Sequence, residues 1–365
     1  MRLKQLMSLG LLAGCLAGCG GGGGGTADPV DPPPPVANPD PFADVDRTAS
    51  AAFTAQGISG MGIAVYDAQG VKRFEKMYGT FGADQRVAIA SSSKMVAGLT
   101  ILRLVDQGFL SLDSTTGEVL GWAGPQAAIT LRQLLSFTSG LPREAPCTLR
   151  PEITLAECVD DISEFTPVAA PGTRFDYGST HLQVAARMAE VVTGQTWAEI
   201  FQAQLKNPLG LGADMTWYTA PRQGMGTSNP LIAGGLRATM NEYARVLQLE
   251  FNRGTYQGNR LIADALFTPQ GTEPYPNAEI GNSPFEDSGL DFHYGLAAWL
   301  ECPPPATNCA VLSSPGAFGF TPWVDRDGGY YAMIAMEVSE SQSGIVEFSV
   351  RLAQDLKPQI RAALQ

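Results

Sequence analysis

One segment constrains the fold more than any other: residues 91–108 predict a helix that is apolar on nearly every side. Its apolar residues recur at helical spacing, and Gly108 predicts where the helix ends. These residues are Met95, Val96, Leu99, Leu102, Leu104 and Val105. Such a helix is normally buried inside a domain. One charged residue, Lys94, lies near its start, and a buried charge is costly unless it has a partner or a function.

Ser91 and Lys94 at the start of this helix are candidates for a nucleophile and its base. Residues three apart on a helix share a face, so the serine hydroxyl and the lysine amine can meet. A serine hydroxyl is a weak nucleophile until a neighbouring group accepts its proton, and a buried amine can do so. The helix start also offers free backbone N–H groups to a developing oxyanion. A Ser-x-x-Lys match alone is weak evidence, but its position before a buried helix strengthens it.

Strand patterns occur towards both ends of the chain. Residues 61–66 and 71–78 predict two strands joined by a turn at 67–70, and residues 318–324 and 330–338 predict a second such pair. A last helix is predicted over 345–364, whereas the middle of the chain, to about residue 250, is largely helical. This order predicts an α/β fold with one sheet built from both chain ends and an inserted helical lobe.

Residues 1–18 predict a lipoprotein signal peptide. Arg2 and Lys4 give it a positive start, and the apolar stretch that follows is too short and glycine-rich to span a bilayer. Two tetrapeptides, ending at Cys15 and Cys19, resemble the bacterial lipobox, whose cysteine is lipidated. Cys19 is favoured because cleavage there leaves the longer apolar core; an ordinary signal peptide is the alternative. We therefore expect an exported bacterial lipoprotein, held by its lipid at the periplasmic face of the outer membrane or the cell surface.

The rest of the chain divides into a linker and a folded domain. Residues 19–45 are rich in glycine and then proline, which predicts a flexible and then extended tether, and residues 46–365 are predicted to form the domain. The formal net charge of the whole chain is −12, and removing Arg2 and Lys4 with the signal peptide makes it −14. This acidity argues against nucleic acid as a partner, since phosphates require a basic surface.

Four cysteines of the domain form two pairs that are close in sequence. An oxidising compartment would permit the disulfides Cys147–Cys158 and Cys302–Cys309. A zinc site is the alternative, but it lacks the Cys-x-x-Cys spacing, and the sequence contains only two histidines, His181 and His293. We expect neither a metal nor a cofactor. Both histidines are expected to be structural or surface residues, because no Gly-x-Ser-x-Gly motif serves them.

Several segments carry recognisable motifs, and the first of them covers residues 87–94 (VAIASSSK). This segment resembles the one that leads to the nucleophile in a single superfamily, the serine β-lactamases, penicillin-binding proteins and β-lactamase-like esterases. Further segments match in the family's order: 107–113 (QGFLSLD), 134–142 (LLSFTSGLP), 171–177 (PGTRFDY), 207–211 (NPLGL) and 233–239 (AGGLRAT). Phe137 stands where histidine is usual. The resemblance covers roughly residues 50–350 and implies the β-lactamase/transpeptidase-like fold, an antiparallel sheet flanked by helices.

The resemblance also implies roles for further residues. Tyr177 takes the position of the motif tyrosine and would shuttle the proton between Ser91, Lys94 and the leaving group. Residues 314–316 match the third motif, so that Gly316 would let the substrate approach and the Ala317 N–H would complete an oxyanion hole with that of Ser91. Two substrate-binding positions depart from the β-lactamase pattern: Ser179 replaces an asparagine, and the uncharged Ser314 replaces the usual cation.

Three functions remain open on this evidence. The first is a serine hydrolase that forms an acyl-enzyme on Ser91 and acts as an esterase on small acyl substrates. The second is a β-lactamase or a D-amino-acid peptidase acting on cell-wall-type substrates. The third is an inactive binding protein of the same fold, tethered at the cell envelope.

Overall fold

The computed structural model describes residues 40–220, 226–286, 288–336, 338 and 344–365. The predicted signal peptide, both candidate lipidation cysteines (Cys15 and Cys19) and most of the predicted linker lie outside these residues. Residues 40–365 form one compact unit. Its first helix begins at Ala43, so residues 43–45, predicted as linker, belong to the folded domain. Phe42 and Val45 are buried against the sheet. Aspartates and prolines lie next to them in the sequence, so the sequence pattern did not predict this contact.

The described residues form helices mainly in the middle of the chain and strands mainly towards its two ends. The helices are α1 Ala43–Gln56, α2 Ser93–Asp106, α3 Thr116–Leu120, α4 Leu131–Leu135, α5 Leu155–Ser163, α6 Thr180–Thr193, α7 Trp197–Phe201, α8 Asn207–Leu209, α9 Met240–Phe251, α10 Phe267–Gln270 and α11 Ile345–Ala363. The strands are β1 Gly60–Asp67, β2 Lys72–Gly79, β3 Val87–Ala88, β4 Arg174–Asp176, β5 Arg237–Ala238, β6 Thr255–Tyr256, β7 Asn259–Arg260, β8 Glu279–Asn282, β9 Phe292–Tyr294, β10 Trp299–Glu301, β11 Val311–Ser313, β12 Thr321–Asp325 and β13 Tyr330–Met336.

A seven-stranded antiparallel sheet joins the two ends of the domain. Its order is β2-β1-β13-β12-β11-β10-β9, so β1 from the start of the chain pairs with β13 from its end. The register runs from Met61 opposite Met336 to Asp67 opposite Tyr330. The β1–β2 turn is closed by the Asp67 carboxylate, which accepts hydrogen bonds from the backbone N–H groups of Gln69 and Val71. The expected sheet from both chain ends is therefore confirmed.

Helices cover both faces of this sheet. Alternate residues of β1 point to opposite faces, so Met61, Ile63 and Val65 pack with α1 and α11, whereas Ala64 and Tyr66 pack towards α2 and α9. All of α2 from Ser93 to Leu102 is buried, as its apolar sequence predicts. At Gly98 an added Cβ would lie 2.5 Å from the Ala297 Cβ, which explains a glycine in the middle of this helix.

Helices α3 to α8 form the inserted lobe between the two ends of the sheet. Four of its helices begin with a threonine that caps the third backbone N–H of the helix, which fixes where these short helices start: α3, α4, α5 and α7. The structure contains both predicted disulfides, one of which, Cys147–Cys158, lies in this lobe. In the described part of the chain, no helix is both long and apolar enough to cross a membrane.

Candidate active site

Ser91 lies in a tight turn between β3 and α2. Residues Ala90–Ser92 form a single 3-10 turn, and Ala90 has a φ of 44°, a conformation that residues other than glycine rarely adopt. Strained backbone of this kind often marks functional sites, where the surrounding structure holds it in place. Here the Ser92 hydroxyl holds the turn, lying 2.6 Å from the Ser314 carbonyl oxygen and 2.8 Å from that of Phe320.

The Lys94 amine lies 2.9 Å from the Ser91 hydroxyl oxygen. The same amine donates a hydrogen bond to the Ala233 carbonyl at 2.9 Å, and the lysine is only 4% exposed. No aspartate or glutamate in the described residues forms an ion pair with it. A buried amine that touches the nucleophile, with no carboxylate to hold its charge, is placed to accept the serine proton.

Tyr177 closes the site on the side of the inserted lobe. Its ring centroid lies 4.6 Å from the Lys94 nitrogen. The ring packs against Phe137 at 5.3 Å and Trp299 at 5.1 Å. Its backbone is fixed by Asn282, whose carbonyl accepts the Tyr177 N–H at 2.9 Å and whose amide donates to the Tyr177 carbonyl at 3.1 Å. The structure thus brings Ser91, Lys94 and Tyr177 together, as the sequence predicted.

His181 lies behind Tyr177 and is fully buried. Its Nε2–H donates to the Asp176 carbonyl at 2.8 Å, so Nδ1 is the acceptor for the Ser139 hydroxyl at 2.7 Å. Burial, together with the nearby Lys94 charge, lowers the pKa of His181 to about 4, because the charged imidazolium would lose its hydration. The ring also packs on Phe137 at 5.2 Å. His181 is therefore a neutral structural residue. His293, in contrast, is partly exposed and lies 2.8 Å from Glu273.

The third motif lies directly behind the nucleophile. The Ser314 hydroxyl donates to the Ser91 carbonyl at 3.1 Å, and Ser314 is only 3% exposed, so this side chain holds the nucleophile turn. An added Cβ at Gly316 would lie 2.1 Å from the Ile89 carbonyl oxygen. The glycine therefore permits close contact between this loop and the segment before Ser91, a different reason from the substrate approach that we predicted.

Ala317 is exposed at the turn that follows. The hydrogen bonds that close this turn run from Gly316 N–H to the Phe320 carbonyl and from Gly319 N–H to the Gly316 carbonyl. Neither of these two hydrogen bonds uses the Ala317 N–H. The predicted role of this N–H in the oxyanion hole requires that the turn does not use it.

A cavity of about 210 Å³ opens beside Ser91. Its lining includes the predicted residues Ser91, Lys94, Tyr177 and Ser179. It also includes residues to which the sequence assigned no role at the site: Ala90, Glu144, Gly178, Tyr218, Leu231, Ala233, Gly234 and Phe318. The Ser179 hydroxyl donates to the Glu144 carboxylate. Glu144 lies only two residues after the motif at 134–142. This proximity was the one feature of the sequence that indicated a place for Glu144 at the site. In the described residues, no cluster of three or more His, Cys, Asp or Glu could hold a metal ion.

A comparison with protein families matches residues 45–352 to the family model described as Beta-lactamase. Among curated proteins, the D-alanyl-D-alanine-carboxypeptidase/endopeptidase AmpH of Escherichia coli (strain K12) is 28% identical over 258 residues, which are 61% of this chain and 66% of that protein. The Lovastatin esterase of Penicillium rubens is 25% identical over 263 residues, 61% of this chain and 65% of the esterase. The chain thus spans less than two thirds of the length of these relatives.

Among solved structures, that of a candidate beta-lactamase from Bacteroides dorei DSM 17855 is 29% identical to this chain. The two structures align with a TM-score of 0.72 over 85% of this chain and 98% of the other. The expected fold, an antiparallel sheet flanked by helices, is therefore confirmed by comparison as well as by topology.

Proposed function

Because the chain belongs to the Beta-lactamase family, whose members include esterases and carboxypeptidases, we propose that it is a serine hydrolase that forms an acyl-enzyme on Ser91. The observation that carries this proposal is the 2.9 Å contact between the buried Lys94 amine and the Ser91 hydroxyl oxygen. A catalytically inactive binding protein would have no need for a buried amine against this hydroxyl, since burying such a group is costly.

In the proposed reaction, the Ser91 hydroxyl oxygen attacks the substrate carbonyl and its proton passes to the Lys94 amine, a step that requires this amine to have given up its own proton. The negative charge that develops on the carbonyl oxygen would be held by the backbone N–H groups of Ser91 and Ala317. Tyr177, packed within 4.6 Å of the lysine nitrogen, would pass the proton on to the leaving group. A water molecule then attacks the carbonyl carbon of the acyl-enzyme, and its proton passes through the same residues to the Ser91 oxygen. The bond between Ser91 and the acyl group breaks, and the acid product leaves.

Within this family we propose an esterase that acts on small acyl substrates. A β-lactam carries a carboxylate that a cation or several strong donors must meet. Lys94 is the one cation among the described residues that line the cavity, and it is engaged by Ser91 and Ala233. Ser314 is uncharged and turned towards the Ser91 backbone. An ester needs neither contact, because the nucleophile, the lysine, the tyrosine and the oxyanion donors suffice for acyl transfer.

The test is the ratio of kcat/KM for short-chain p-nitrophenyl esters to kcat/KM for nitrocefin. We expect the esters to be the better substrates, since a charge-assisted contact contributes about 1.5–3 kcal/mol against about 1 kcal/mol for a neutral one, and loss of two such advantages weakens lactam capture by about 10- to 10³-fold. A nitrocefin value equal to or above the ester value would overturn the esterase assignment. Failure of a fluorophosphonate to label Ser91 would instead favour the inactive binding protein.

The second candidate, a D-amino-acid peptidase acting on cell-wall fragments, is favoured by the resemblance to AmpH. D-alanyl-D-alanine peptides belong in the same assay for that reason. Release of D-alanine faster than ester hydrolysis would make this second candidate the better description of the protein.

A further inference from the structure

We propose that the cavity beside Ser91 contains a subsite for a cationic group of the substrate, formed by Glu144 and Ser179. This inference rests on the proposed acyl-enzyme chemistry and extends it to a substrate class. Glu144 is exposed and lines the same cavity as Ser91, Lys94 and Tyr177. A carboxylate at this place gives the cavity a negative charge close to the nucleophile.

The hydrogen bonds of Ser179 determine what this subsite can accept. Its hydroxyl donates to the Glu144 carboxylate, and its backbone N–H donates to the Arg143 carbonyl at 2.9 Å. Both donors of Ser179 are therefore used within the protein. What remains towards the cavity are the lone pairs of the hydroxyl and of the carboxylate, which accept hydrogen bonds. A substrate group that binds here must donate them.

The charges around Glu144 are consistent with a cation. In the described residues, no lysine or arginine forms an ion pair with it. The neighbouring Arg143 guanidinium binds the Asn282 side-chain oxygen at 2.6 Å instead. The Phe318 ring lines the same cavity, and aromatic faces attract cations, whereas the Tyr218 ring already has the Arg237 guanidinium over it at 5.1 Å. An ammonium group beside Glu144 thus donates to the free acceptors of Ser179 and Glu144 and also balances the Glu144 charge. A carboxylate at the same place is repelled by Glu144.

The substrate class that follows is an acyl compound with an ammonium group near the scissile carbonyl, such as an aminoacyl ester or amide. Uncharged esters remain substrates but lack this contact. The preference is moderate because Glu144 is exposed, and exposed charge pairs are weakened by water. We expect the cation to improve binding about 5- to 20-fold over an uncharged group of the same shape.

Arylboronic acids test this inference without the spontaneous hydrolysis of aminoacyl esters. The Ser91 oxygen bonds to boron and its proton passes to solvent, which gives a tetrahedral boronate in the place of the tetrahedral intermediate. The probes are 3- and 4-(aminomethyl)phenylboronic acid, which place an ammonium at two distances from boron, and the uncharged 3- and 4-ethylphenylboronic acids. Kd is measured by calorimetry at low salt for wild type, Glu144→Gln and Glu164→Gln. Glu164 is exposed at the end of α5, outside the cavity lining, so its substitution controls for the change in net charge.

The expected result is that at least one aminomethyl compound binds wild type and Glu164→Gln about 5- to 20-fold more tightly than its ethyl counterpart. In Glu144→Gln this ratio falls towards one, and in wild type it shrinks at high salt. Equal ratios in wild type and Glu144→Gln would overturn the cationic subsite and leave the proposed function intact. Absence of binding by all four boronates would overturn the proposed function and, with it, this inference.

Discussion

Three residues carry the proposed chemistry, and each has a substitution that tests its role. Ser91→Ala and Lys94→Ala are expected to lower kcat for p-nitrophenyl esters by about 10⁴-fold or more, because nucleophile and base act as one unit. Tyr177→Phe keeps the ring packing against Phe137 and Trp299 but removes the hydroxyl, with an expected loss of about 10²- to 10⁴-fold. The measurement is single-turnover and steady-state kinetics. A Ser91→Ala protein that retains most of its activity would contradict the mechanism.

His181 makes the stability of the protein depend on pH. Its pKa in the folded protein is about 4, below the unfolded value of about 6.5, because it is buried. As the pH falls, the unfolded chain binds the proton first, so the contribution of this site is complete above about pH 6.5 and is lost towards pH 4. At pH 5 the loss amounts to about 2 kcal/mol.

His181→Gln removes this titration. Urea unfolding at pH 7.5 and pH 5 is expected to show that the wild type loses about 2 kcal/mol more than the variant between these two pH values. The comparison uses the difference between two pH values, so a uniform destabilisation by the substitution does not affect it. The same loss in both proteins would show that His181 is protonated at little cost in the fold.

At the scale of structural elements, the loop between β11 and β12 supports the turn that carries Ser91. Ser314 and Phe320 meet Ser92 through their carbonyl oxygens, and Gly316 lies against Ile89. These contacts join parts of the chain more than 220 residues apart in sequence. The position of the nucleophile is therefore fixed by the sheet as much as by α2.

Gly316→Ala tests this contact. The added Cβ would lie 2.1 Å from the Ile89 carbonyl oxygen, so one of the two segments must move, and we expect a loss of about 1–3 kcal/mol in the free energy of unfolding together with a lower kcat. Gly82→Ala is the matched control, because its added Cβ meets no atom within 4 Å. Unfolding and ester hydrolysis are measured for both proteins. Equal behaviour of the two variants would contradict the supporting role of this loop.

At the scale of the whole molecule, we propose that a lipid on Cys19 holds the protein at the membrane through the linker. Cys19→Ala is expected to move the protein from the membrane fraction to the soluble fraction of the cells, with its ester hydrolysis unchanged, because the folded domain begins only near residue 40. Cell fractionation followed by detection of the protein measures this. Release by Cys15→Ala but not by Cys19→Ala would assign the lipid to the other cysteine.

Local sequence patterns were sufficient to predict the strand pairs at both chain ends, helix α2 and the reacting pair. The strands at both chain ends and the buried helix α2 follow from periodicities of two and 3.6 residues, which are local properties. Ser91 and Lys94 lie within one helical turn, so their spacing alone predicts that they meet. The two disulfides were also predictable from local spacing, because Cys147 is close in sequence to Cys158 and Cys302 is close to Cys309. Both disulfides are present in the structure.

Which surfaces meet around that pair depends on long-range packing, which the sequence patterns do not show. Ser314 and Gly316, which the sequence predicts at the substrate, contact Ser91 and Ile89, and these contacts between distant segments are encoded by no local pattern. Glu144 likewise contacts Ser179 only because of the fold. It lies in a loop, and a loop sequence has no periodicity from which the direction of a side chain could be predicted. The chemistry was thus local and predictable, while the shape and charge of the cavity depend on long-range packing.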